Sequence, residues 1–245
     1  MLKKFYDKSR IWFAVTWIVI YCVLMSAADA ISAAIGVEKA VTLPVGLLLS
    51  ATLFMFLKKN ALLGEYGFCK PRTSHGSMLY YIPVLLMLGA NLCYGFSLDL
   101  TPLEAVLTVL SMLAVGFLEE VIFRGLLFEA MRGESPVAAV TVSSLTFGIG
   151  HIINLFNGSG AELLPNLLQV LYATAAGFMF VMIYYKSKSI IVCIASHGVF
   201  NALGVFANEA AATPTLRVSV AIALAILTAG YGAYIAFGMR GKKEE

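Results

Sequence analysis

Apolar residues fall into eight long runs, at about 11–30, 41–57, 78–97, 103–130, 136–152, 164–185, 189–206 and 216–239. A helix of about 20 residues crosses the hydrocarbon core of a bilayer, so each run is a candidate span. The stretches between them, such as "KKNALLGEYGFCKPRTSHG", "SLDLTP", "MRGESP" and "NEAAATPT", carry the Gly, Pro, Asn, Ser and charged residues that end helices. Pro102, Pro136 and Pro165 stand near expected helix starts, where proline is tolerated. The pattern predicts an all-α, polytopic membrane helix bundle of about eight transmembrane helices, with residues 1–245 forming a single transmembrane domain. The first run, from Ile11 to Ala28, exceeds the roughly 7–15 residues of a signal-peptide core. It is read as a retained helix.

Composition agrees. Of the 245 residues 60% are hydrophobic and 13% charged, against roughly 25% charged in an ordinary soluble domain. The spans nearly exhaust the chain and leave no room for a separate soluble domain. A net charge of +3 gives no support for nucleic-acid binding. Cys22, Cys69, Cys93 and Cys193 form no CxxC pair and no regular framework, and read as buried free thiols.

Lysine and arginine sort cleanly between the two faces. Eight spans with both termini cytoplasmic put Lys3, Lys4, Lys8, Arg10, Lys58, Lys59, Lys70, Arg72, Arg132, Lys186, Lys188, Arg240, Lys242 and Lys243 inside. Only Lys39 and Arg217 fall outside, and Arg124 lies within a span. That asymmetry matches the cytoplasmic excess of basic residues. The expected location is the cell membrane.

Charge within a span costs about 2.5–3.5 kcal/mol per residue even on the lenient insertion scale. The fourth run nevertheless holds "GFLEEVIFRG". Glu120 and Arg124 are four apart, share a helix face and can pair. Glu119 is turned about 100° away and has no evident partner in its own helix. An unpaired intramembrane carboxyl is a candidate functional group. His151 ends "FGIGH", and His197 begins "HGVFN", which places His197 and Asn201 on one face. At ~1.5 Å per residue, Glu119 lies ~16 Å, His151 ~22 Å and His197 ~12 Å from the cytoplasmic ends of their helices. These depths allow one polar cavity in mid-bilayer, expected to open toward the cytoplasm.

Two chemistries suit this set. A carboxylate beside an imidazole can take a proton from water, while a second His and an Asn donate hydrogen bonds to a developing oxyanion. Alternatively, Glu119, His151 and His197 could hold a divalent metal such as zinc with one open position. There is no HExxH. Ser196 and His197 are adjacent on a helix and face apart, which disfavours a Ser–His dyad.

The segments "EEVIFR", "FGIGH" and "HGVFN" resemble the EExxxR, FxxxH and HxxxN/B motifs of the CPBP intramembrane proteases. That family includes the type II CAAX prenyl endopeptidases and bacteriocin-processing or immunity proteins. The motifs occur in the family's order on three spans, and the resemblance covers roughly 103–206, the expected catalytic core. It implies Glu119 as the water-activating base helped by His151, and Glu120 and Arg124 as supporting residues. It also implies His197 and Asn201 on the oxyanion side, with Phe147 packed beside the site. Metal-free and metal-dependent mechanisms are both argued within the family; metal-free water activation is the reading adopted. The expected substrate is a peptide or membrane protein reached from the cytoplasm, with prenylation left open. Two other functions fit the scaffold: a non-enzymatic immunity or binding protein, and a small proton-coupled transporter. Retention of every motif residue argues against the first, and the lack of inverted repeats against the second. Asn154 reads as a helix C-cap in "NLFNG".

Overall fold

The computed structural model describes residues 2–157 and 162–240. Lys242 and Lys243, assigned above to the basic face, and residues 158–161 of the "NLFNGSGAELLP" connection lie outside the described residues. The chain begins with a short helix α1 (Leu2–Lys8). There follow α2 (Arg10–Ile35), α3 (Thr42–Lys59), α4 (Gly76–Tyr94), α5 (Pro102–Arg132), α6 (Pro136–Leu155) and α7 (Leu163–Ser187). The last two are α8 (Ile190–Gly204) and α9 (Pro214–Arg240).

Among the described residues, seven of these helices are long and apolar enough to cross a membrane; α8, with 15 residues, is the short member. At ~1.5 Å per residue α8 reaches only ~22 Å. It does so with Ile190, Cys193 and His197 buried, so it lies within the bundle. The outward surface is apolar: Leu48 is 66% exposed, Leu85 62% and Ile226 68%. Such a surface suits lipid, not water. The chain is a multi-pass membrane protein.

Local chemistry sets the helix ends. The Ser9 hydroxyl accepts from the Trp12 amide at the start of α2, and Ser135 does the same for Ala138 at the start of α6. Thr101 and Glu104 form a reciprocal capping box at α5. The third span departs from a plain helix. Residues 76–81 form a tight turn in which Leu79, Tyr80 and Tyr81 all have positive φ, at 47°, 52° and 58°. Left-handed backbone costs side-chain-bearing residues roughly 1–2 kcal/mol each. The Tyr231 hydroxyl and the Lys186 ammonium hold the turn by donating to the Met78 and Ser77 carbonyls, at 2.6 and 2.7 Å.

Two close crossings bring the functional elements together. A Cβ on Gly116 of α5 would lie 2.6 Å from Gly198 Cα of α8, and one on Gly148 of α6 would lie 2.7 Å from Thr174 Cα of α7. Missing side chains let these backbones touch, as membrane helix pairs require. Within α5 the hydrogen-bond ladder widens to a π-helix over Glu120–Phe128, and all nine residues of that stretch are buried. All four cysteines are unpaired. Cys193 is buried and Cys22 and Cys69 are half-buried, but Cys93 is exposed. It departs from the expected burial because its broken helix α4 packs loosely at the bundle edge.

Candidate active site

The Gly116–Gly198 crossing carries His197 against the two consecutive carboxylates of α5. His197 Nδ1 is 2.8 Å from Glu120 Oε1, and Nε2 is 3.4 Å from Glu119 Oε2. Glu119 and Glu120 thus reach opposite edges of one imidazole. Glu120 and Arg124 are fully buried, Glu119 is 8% exposed and His197 5%.

The expected Glu120–Arg124 pair is present, with Nη1 3.2 Å from Oε1. Its geometry is electrostatic: Arg124 Nε, Nη1 and Nη2 and Glu120 Oε2 have no hydrogen bond among the described residues. The guanidinium lies over the Phe147 ring at 4.1 Å and the Phe180 ring at 5.5 Å, a favourable place for a desolvated cation. Phe147 also meets the rings of His151 and His197, at 5.2 and 5.5 Å, and Phe180 stacks on His197 at 5.4 Å. Two aromatic rings therefore wedge the buried charges and imidazoles in place.

Glu119 is not the orphan expected from its own helix. The Tyr21 hydroxyl donates to Glu119 Oε1 at 2.7 Å. The partner lies 98 residues away on α2, outside every motif. A tyrosine hydroxyl buried in a span needs a hydrogen-bond partner, and that need was the one signal for it. His151 directs Nδ1 to the Phe147 carbonyl at 3.0 Å. Its own carbonyl accepts from Asn166 Nδ2 at 2.9 Å. Asn166, 1% exposed, is a second positioning residue missed in the sequence; a buried amide in an apolar span was its mark. Asn154 is no C-cap. It lies in the tight turn His151–Leu155, donates to Gln169 Oε1 at 3.2 Å and lines a cavity.

That cavity, about 110 Å³, holds Glu119 and His151 on its wall together with Tyr21, Cys22, Asp29 and Lys39. A second cavity of about 50 Å³ lies on the other side of Phe147 and His151 and is lined by His197, Asn201, Tyr172 and Thr228. The site residues named from sequence are thus brought together, with Asn201 facing the second hollow. Walls also come from α2, α4 and α9, outside 103–206. The opening was expected toward the basic face; the larger cavity instead runs from Glu119 and Phe123 toward Lys39, while residues 120–128 are buried.

A zinc ion would need Glu119, His151 and His197 to converge. No three His, Cys, Asp or Glu side chains do so among the described residues. His197 Nδ1 is engaged by Glu120 and His151 Nδ1 by the Phe147 carbonyl, contacts that leave each Nε2 as the nitrogen a metal would take; what the arrangement lacks is convergence of the three side chains on one point.

Residues 101–203 match the family model of the type II CAAX prenyl endopeptidases, Rce1-like. The matched stretch contains all three motifs and is the family they resemble. No curated protein and no solved structure matches the chain. The Rce1-like match implies intramembrane protease activity of the CAAX type in general, acting on a peptide or protein in the membrane. Tyr21, which holds the first glutamate of the Rce1-like region, lies outside that match.

Proposed function

We propose that the protein is an intramembrane endopeptidase of the cell membrane that hydrolyses a peptide bond with water activated by Glu119 and His151. The observation that carries this reading is that Glu119 and His151 line one cavity while His197 bridges Glu119 and Glu120 behind it. A water between the two would give its proton to the Glu119 carboxylate as its oxygen attacks the carbonyl carbon. The carbonyl becomes a tetrahedral oxyanion, which the His197 and Asn201 side stabilises by hydrogen bonding. Glu119 then delivers the proton to the amide nitrogen, the C–N bond breaks, and a carboxylate and an amine leave.

Tyr21 orients Glu119, and Glu120 orients the His197 ring, each through a hydrogen bond that leaves little rotational freedom. Arg124 offsets the Glu120 charge. The catalytic core is 103–206, completed by α2. The substrate is a membrane-associated protein or peptide, prenylated or not.

The test is cleavage in proteoliposomes of a peptide library, prenylated and unprenylated, by wild type and Glu119→Ala. Cleavage by the wild type that disappears in a folded variant supports the reading. Equal cleavage by both sinks it.

A further inference from the structure

The larger cavity has a direction. From Glu119 it follows α2 through Cys22 and Ser26 to Asp29, and it ends at Lys39 and Thr42. Along α2 the lining runs from Cys22, at mid-helix, to Asp29, near the helix end opposite the one that carries Arg10. At that end Lys39 pairs with Asp29 at 2.8 Å, and their side chains are 17% and 33% exposed. The mouth is therefore polar and reaches the surface.

The opposite direction is closed. Residues 120–128 are buried without a gap. Beneath them lie Tyr6, Phe13 and Tyr66, each about 1% exposed. Tyr6 and Tyr66 share a hydroxyl–hydroxyl hydrogen bond of 2.7 Å, and burial pushes both hydroxyls above the ordinary tyrosine range. The polar groups between this plug and Glu119 are the enclosed Glu120–Arg124 pair and His197, which is 5% exposed and touches both glutamates.

We propose that water and substrate reach Glu119 only from the face that carries Lys39, opposite the basic face. The substrate class is then an extended peptide segment displayed on that face. This rests on the protease reading of the cavity. The nine residues from Tyr21 to Asp29 span ~12 Å of helix, which is the length of three to four extended residues at roughly 3.3–3.6 Å each.

The experiment uses Cys22, which lines the cavity beside Tyr21. Cys69→Ser and Cys93→Ser remove the other accessible thiols, and buried Cys193 is kept. The full chain, in membrane vesicles of either orientation, is treated with a charged, membrane-impermeant methanethiosulfonate. Added Lys39→Cys and Lys59→Cys variants mark the two faces. Cys22 is expected to be modified from the side that modifies position 39, with labelling lost from the side that modifies position 59. Ser26→Cys in a Cys22→Ala background repeats the test one turn nearer the mouth. Labelling of both positions from the position-59 side, from both sides or from neither overturns the proposal. The readout is independent of cleavage, so an inactive protein that labels as expected would count against the protease reading alone.

Discussion

Gly116 and Gly198 meet backbone to backbone, so closely that a Cβ on the first would sit 2.6 Å from the Cα of the second. This contact sets the height of His197 against Glu119 and Glu120. Gly116→Ala is expected to push α8 outward, lower stability by about 1–3 kcal/mol as overpacking does, and depress cleavage more than Tm. Thermal unfolding in detergent and proteoliposome activity, measured side by side, check it. Wild-type values in both would refute the role of the crossing.

Arg124 and Glu120 are both fully buried. Removing one partner of a buried pair costs about 3–5 kcal/mol, so Arg124→Ala is expected to lower the yield of folded protein sharply. Arg124→Met with Glu120→Gln removes both charges and is expected to recover part of the stability. A single variant as stable as wild type would mean that the pair contributes nothing.

Tyr21→Phe deletes one hydroxyl that donates to Glu119. A hydrogen bond to a charged group contributes about 1.5–3 kcal/mol, so kcat is expected to fall by roughly ten- to a hundredfold with KM nearly unchanged. A rise in KM alone would place Tyr21 in substrate binding instead.

Asn201→Ala removes an amide from the wall of the second cavity. If that amide meets the oxyanion, kcat falls by about 10²–10³ while Asn201→Gln recovers little. Unchanged turnover in the alanine variant would remove Asn201 from the mechanism.

Metal chelation is expected to leave cleavage intact, because Glu119, His151 and His197 do not converge as a three-ligand set among the described residues. Dialysis against a strong chelator followed by assay checks this. Loss of activity restored by zinc would require the three side chains to regroup.

What was legible in the sequence is local. Helix ends follow from Ser9, Thr101 and Ser135, whose side chains cap the next turn. The Glu120–Arg124 pair follows from a spacing of four. Contacts across the bundle leave no such mark. Tyr21 and Glu119 are 98 positions apart, and no periodicity links them. Counting residues from helix ends places Glu119 in mid-bilayer but does not say which side of it is filled. Phe128 and Tyr66 decide that by packing. The break in α4 was equally hidden, since Leu79, Tyr80 and Tyr81 are ordinary apolar residues at positions where Gly or Asn would have announced a left-handed turn.

The plug formed by residues 120–128 also bears on the energetics of the host membrane. A hollow wetted from both faces would conduct protons and ions and dissipate the gradients a cell maintains. With nine consecutive buried residues on one side, access from one face alone would leave the hollow blind, and the bilayer would stay an electrical insulator around the proposed hydrolysis.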